Sequence, residues 1–173
     1  MDLRDTIRTI PDFPKKGILF RDITTLLLDP AALKGAVQAF ADRFSGEHFE
    51  LIGGIEARGF IFGAALACQL DKGFIPIRKP GKLPSSVYRA EYALEYGTDS
   101  IEMHTDAVTN GDRIVLVDDL LATGGTMKAA CELVEEAGGT VVACAFVVEL
   151  LPLSGRGALA GHDVFSLVAY DEA

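Results

Sequence analysis

Apolar residues along this chain follow two rhythms. Leu33, Val37, Phe40 and Phe44 recur at helical spacing behind Asp29–Pro30, an acceptor followed by a proline suited to a first helical turn. They predict a helix running to about Phe44. Short apolar runs at Leu51–Ile55, Phe74–Ile77, Ser100–His104, Arg113–Val117, Val141–Val148 and Asp163–Val168 predict strands. Val141–Val148 is apolar nearly throughout, as a strand covered on both faces should be. Phe60–Leu70 and Met127–Ala137 read as helices, the second closed by Gly138–Gly139. Near the N-terminus, Leu3, Ile7 and Ile10 share one face of a short helix over Arg4–Ile10, and the turn-rich Pro11–Gly17 leads into Ile18–Phe20. Strands alternating with helices imply an α/β fold with a mostly parallel central sheet flanked by helices. In such sheets ligands bind beyond the carboxyl ends of the strands.

A length of 173 residues without internal repeats or long linkers fits a single domain. The net charge of −9 suits no nucleic-acid backbone, and any anionic ligand must be met by a local basic cluster. Cys68, Cys131 and Cys144 are odd in number and form no C-x-x-C, which argues against a disulfide framework and fits a reducing cytoplasm. Met1–Ile10 is too charged for a secretory signal, and the longest uncharged runs, Gly59–Leu70 and Ala137–Val148, are too short for a membrane span. The expectation is a soluble cytoplasmic protein with neither nucleic-acid nor membrane partner.

Three segments carry chemistry. In Ile114–Thr126 a buried strand ends in Asp118–Asp119, and a small-residue loop, Ala122-Thr123-Gly124-Gly125-Thr126, opens the next helix. Such a loop aims several backbone N–H groups at one phosphate, helped by the helix N-terminus; its plainer reading is a turn with a capping threonine. The two aspartates accept only, which suits a ribose diol or the waters of a bound Mg²⁺. The second segment, Gly73–Ala90, contains Arg78, Lys79, Lys82 and Arg89 and no acid; it is either a lid over a highly charged anion or a solvated loop. In the third, Gly53–Gly63, Arg58 stands where the chain leaves a strand, to meet phosphate or to pair with Glu56 on the surface. Other chemistries drop out. There is no G-x-x-x-x-G-K-[ST] and no G-x-S-x-G, Gly155-Arg156-Gly157 has its next glycine one residue too far for G-x-G-x-x-G, and His48, His104 and His162 lack metal-ligand spacing.

Together the segments resemble the type I phosphoribosyltransferases, over about Asp12 to Val168. The resemblance rests on D-F-P-K-K-G-I-L-F-R-D-I-T at Asp12–Thr24, the Gly53–Gly63 block, L-E-Y-G-T-D at Leu94–Asp99, and Ile114–Thr126. The last is shared across the superfamily; F-R-D-I-T together with L-E-Y-G is similar to the members that act on adenine. The resemblance implies transfer of the phosphoribosyl group from phosphoribosyl diphosphate (PRPP) to adenine, giving AMP and pyrophosphate with Mg²⁺. The ion would travel with PRPP or pyrophosphate, meeting the protein through waters rather than a dedicated metal site. It also implies a homodimer, an N-terminal hood (about 1–30) over the base, and a flexible loop (about 78–96).

Residue by residue, the resemblance places Ala122, Thr123, Gly124, Gly125 and Thr126 on the 5-phosphate and Asp118 and Asp119 on the ribose. Arg58, Arg78, Lys79 and Lys82 fall on pyrophosphate. Phe20 falls on the adenine ring, backbone groups of Leu19 and Arg21 on its edge, and Leu150 on its other face. Glu95, with Arg78, takes a catalytic position, where its carboxylate assists proton transfer at the base or is simply solvated. Judged without the resemblance, Phe20 between Leu19 and Ile23 reads more readily as core than as a base contact, and only the family pattern reverses that. Val87 stands where relatives usually have threonine. The alternatives are a transferase for another base and a non-catalytic PRPP sensor.

Overall fold

The structure, a computed structural model, describes residues 2–93 and 97–172. Strands β1 (Arg8–Pro11) and β2 (Leu19–Asp22) lead into helices α1 (Thr24–Leu28) and α2 (Pro30–Phe44). Then come β3 (Leu51–Ile55), α3 (Arg58–Gln69), β4 (Gly73–Ile77), β5 (Val87–Ala93) and β6 (Thr98–His104). The chain closes with β7 (Arg113–Leu121), α4 (Gly125–Glu136), β8 (Thr140–Leu150) and β9 (Val164–Tyr170). Five strands form one sheet in the order β4-β3-β7-β8-β9, every neighbouring pair parallel, as the strand–helix alternation predicted.

Alternation along the central strands builds a core on each face of that sheet. Val115 and Val117 of β7, with Ala143, Ala145 and Val147 of β8, pack with Phe40, Phe44, Phe62 and Leu66 from α2 and α3. Ile114 and Leu116, with Cys144 and Phe146, pack on the opposite face with Cys131, Leu133 and Val134 of α4 and with Ile101 and Met103 of β6. Helix α2 starts where expected, because the Asp29 carboxylate accepts the Ala31 and Ala32 N–H groups at 2.8 and 3.2 Å and Pro30 presets its first turn.

Two stretches differ from expectation. Arg4–Ile10 is not a helix: a short 3₁₀ turn covers Leu3–Thr6, and Arg8–Pro11 pairs antiparallel with β2, Thr9 opposite Arg21 and Ile10 opposite Phe20. The β-branched Ile7, Thr9 and Ile10 suit an extended chain, and the strand forms because a partner arrives from eleven residues downstream, which local periodicity does not register. Second, Val87–Ala93, expected within the flexible loop, is strand β5. It pairs antiparallel with β6 in a separate hairpin, so Ser100–His104 stands outside the central sheet. The hairpin is tied to the end of β4 by main-chain bonds between Arg78 and Glu102 (2.9 and 2.7 Å).

Candidate active site

The expected functional residues collect at the carboxyl ends of β3, β4, β7 and β8, the edge where open parallel sheets bind ligands. β7 delivers Asp118 and Asp119 and then the Ala122–Thr126 loop. Gly124 has φ +84°, left-handed backbone that suits glycine, and its carbonyl accepts the Lys128 N–H at 2.9 Å to begin α4. No side chain caps α4, so the capping-threonine reading is set aside. The first-turn N–H groups of that helix are left for a ligand, and the loop walls a cavity of about 70 Å³ with Asp118 and Phe146. Helix α3, which begins at Arg58, also lacks a side-chain cap. α3 and α4 both open at the site, whereas α2 is capped by Asp29.

The cations are held by carboxylates the sequence did not pair with them. Arg58 Nε donates to Asp119 Oδ2 at 2.5 Å rather than pairing with Glu56. Glu56 instead accepts Arg78 Nε at 3.1 Å and the Lys79 N–H at 2.9 Å. Burial raises the Glu56 pKa, but these donors outweigh it and leave the carboxyl below its ordinary value. Lys79 Nζ pairs with Asp99 and donates to the Tyr92 hydroxyl at 2.6 Å. These bonds outweigh desolvation and raise its pKa. Lys82 is exposed, and its carbonyl accepts a long 3.4 Å bond from Arg78. The acid-free segment thus meets its acids in space, from β3's end and from β6. Desolvation first, and then the charge of Asp119, pushes the Asp118 carboxyl well above its ordinary value, while its Oδ1 accepts the Asp119 N–H at 2.8 Å.

A cavity of about 400 Å³ brings the expected base residues together. Ile18, with Leu19, Phe20 and Arg21 of β2, forms one wall and Leu150 and Leu153 another; Arg58, Asp119, Leu120 and Thr123 complete it. Phe20 belongs to neither core. It is half-buried at the cavity wall, edge-to-face with the exposed Phe13 at 5.2 Å between ring centres. The Arg21 side chain is anchored at the carboxyl end of β9: it lies over the Tyr170 ring at 3.9 Å and donates to Thr9 Oγ1 at 2.7 Å. Glu95 lies outside the described residues.

Sequence reasoning missed Glu56 and Asp99 as partners of the basic segment, and Ile18 and Leu153 as cavity walls. Glu56 stood in I-E-A-R, but proximity along the chain favoured Arg58. Leu153 had no signal beyond being an apolar residue in a loop.

The profile of the phosphoribosyl transferase domain matches residues 23–168. An adenine phosphoribosyltransferase of Solibacter usitatus is 56% identical over 171 residues, 99% of each chain. The crystal structure of adenine phosphoribosyltransferase from Thermoanaerobacter pseudethanolicus superposes with a TM-score of 0.94 at 53% identity, covering 97% of this chain and 98% of that one. The Saccharomyces cerevisiae enzyme, solved with an imino-altritol bisphosphate and adenine, gives a TM-score of 0.91 at 38% identity over 95% and 96% of the two chains. Likeness of this degree, over nearly the whole length and with the expected site residues gathered at one edge of the sheet, makes the chain a member of the phosphoribosyltransferases, in the adenine phosphoribosyltransferase family.

Proposed function

We propose that the chain transfers the 5-phosphoribosyl group of PRPP to adenine, giving AMP and pyrophosphate. The observation that carries this reading is the shared cavity: the four expected adenine contacts, Leu19, Phe20, Arg21 and Leu150, line the same space as Arg58, Asp119 and Thr123 of the phosphoribosyl side. A base resting on Phe20 is thereby brought beside the sugar. A solved relative points the same way, since the yeast enzyme was solved with adenine and a sugar-like bisphosphate.

In the reaction the bond from C1 of the ribose to the diphosphate oxygen breaks as a ring nitrogen of adenine bonds to C1. The diphosphate leaves with the electron pair, and the base loses its N–H proton, for which Glu95 is the proposed acceptor. Ala122–Thr126 holds the 5-phosphate through uncapped N–H groups, fixing C1 relative to the base. Arg58, Arg78, Lys79 and Lys82 stabilise the departing diphosphate; a single preorganised donor of this kind is typically worth about 3–4 kcal/mol. Without substrate, Asp119, Glu56 and Asp99 hold three of these cations. When diphosphate takes Arg58, the Asp119 carboxylate is freed to accept from the ribose hydroxyls, so one exchange prepares both halves of the site.

Mg²⁺ is the proposed companion of the diphosphate, supplying charge neutralisation to the leaving group. The adjacent carboxylates of Asp118 and Asp119 are hard oxygen donors that would meet such an ion through its waters. Among the described residues no group of three or more His, Cys, Asp or Glu side chains is placed to ligate a metal. A homodimer is the proposed assembly; Leu28, 81% exposed, and Ile61, 40% exposed, are apolar side chains that a second copy would cover. Among the described residues no helix is long and apolar enough to cross a membrane, and the three free cysteines support the cytoplasm as the proposed location.

The test is nucleotide formation from PRPP and Mg²⁺ with adenine, hypoxanthine, guanine, xanthine, uracil and orotate in parallel. AMP from adenine alone is expected. A different nucleotide would discard the roles of Phe20 and Arg21 while keeping the phosphoribosyl site, and PRPP binding without product from any base would identify a sensor.

A further inference from the structure

Gly155-Arg156-Gly157 fits no phosphate motif, yet it stands directly behind the Ala122–Thr126 loop. The short 3₁₀ turn Gly155–Leu159 meets that loop backbone to backbone. A Cβ added at Gly155 would lie 2.3 Å from the Ala122 carbonyl oxygen, and one added at Gly124 would lie 2.5 Å from the Gly155 carbonyl oxygen. No side chain separates the two segments, so a shift of the turn passes straight to the loop.

What fixes the turn is Arg156. Its Nε and Nη2 donate to the two carboxylate oxygens of Glu149 at 2.6 and 2.7 Å, a bidentate charge-assisted pair, and its Nη1 donates to the Val164 carbonyl at 2.9 Å. Glu149 is only 4% exposed, near the end of β8, and Ser166 Oγ of β9 donates to it at 2.5 Å. Arg156 therefore bolts the turn to two sheet strands at the level of the site. Neither Arg156 nor Glu149 lines the base cavity or the loop cavity.

We propose that Arg156, acting through Glu149, is a positioning residue for the 5-phosphate cradle: it holds Gly155 against Ala122 and Gly124 and so sets where the loop's N–H groups point. This rests on the reading of Ala122–Thr126 as the 5-phosphate site. The pair belongs to β8 and the turn after it, whereas Arg58 follows β3 and Arg78, Lys79 and Lys82 follow β4, and Arg58, Arg78 and Lys79 bond to other carboxylates; that division makes the role measurable.

The experiment compares ribose 5-phosphate and pyrophosphate binding, each with Mg²⁺, by calorimetry on the native protein and on Arg156→Lys and Glu149→Gln. Arg156→Lys keeps the charge beside Glu149 and loses the two-pronged geometry; Glu149→Gln keeps the shape and loses the charge. Displacement of a binding group by about 1 Å can cost up to ~10²-fold, so ribose 5-phosphate should bind roughly 10-fold more weakly to both variants, with pyrophosphate affinity within about twofold of native. Folded variants with native ribose 5-phosphate affinity, or with both ligands weakened alike, would overturn the positioning role. A native protein that binds pyrophosphate but not ribose 5-phosphate would overturn the cradle reading, and this proposal with it.

Discussion

Gly124→Ala puts one methyl group where the structure leaves no room for it. Two costs arise. Alanine at φ +84° sits in left-handed backbone, at about 1–2 kcal/mol. Its Cβ would also lie 2.5 Å from the Gly155 carbonyl oxygen and 3.0 Å from the Ala158 Cβ, and overpacking of this sort costs typically about 1–3 kcal/mol. The turn cannot drift away freely, because Arg156 ties it to Glu149. The sum is about 2–5 kcal/mol, and at ~2–4 °C per kcal/mol for a chain of this size the melting temperature falls by roughly 4–20 °C. Gly125→Ala is the control. There the nearest atoms to a new Cβ are Ala93 O and Tyr92 Cδ2, both at 3.7 Å, which is ordinary contact. Thermal unfolding followed by circular dichroism, with KM for PRPP measured below the transition, separates the two. Gly124→Ala should lose stability and raise KM for PRPP; Gly125→Ala should melt within about 2 °C of native, as expected of a substitution that meets neither strain nor overlap. A Gly124→Ala protein with native melting temperature and native KM would refute the packing argument and the cradle together.

Asp118→Asn should stabilise the substrate-free protein at neutral pH while impairing use of PRPP. The Asp118 pKa is raised in the folded state, so between the unfolded and folded values the native state holds an extra proton and stability falls as pH rises through that window. Melting curves at several pH values should show the native–variant gap widening upward, and a variant less stable than native at pH 7 would contradict the burial argument. Asp22 is the opposite case. Its hydrogen bond from Arg8 lowers its pKa to about 2, so its contribution is present above the unfolded value of 3.8 and is lost as pH falls toward 2. Asp22→Asn should therefore lose less stability than native over that acid range, measured by the same melts. Phe20→Ala should raise KM for adenine about 10- to 100-fold, given about 1–3 kcal/mol for base–aromatic stacking, and leave KM for PRPP within about twofold. Equal effects on both constants in steady-state kinetics would return Phe20 to a purely structural role.

Features that depend on near neighbours are legible in the chain alone. Leu33, Val37, Phe40 and Phe44 behind Asp29–Pro30 specify α2 because an amphipathic stripe and its cap are local. The apolar run of β7 ending in two aspartates, followed by Gly124–Gly125, specifies strand, loop and helix for the same reason, while the absence of a side-chain cap on α4 came from the structure. Tertiary structure decided the pairings. Arg58 turned to Asp119, sixty-one residues away, and Glu56 turned to Arg78, because strands β3, β4 and β7 end side by side. The segment expected as a helix over Arg4–Ile10 became part of a two-stranded sheet because β2 offered Arg8–Pro11 a partner. Arg156, unremarkable in the chain, ties the turn behind the Ala122–Thr126 loop to β8 because that strand presents the buried Glu149 to it. Hydrophobic periodicity is encoded residue by residue, whereas which charges meet is set by strand order and register, and those are properties of the assembled sheet.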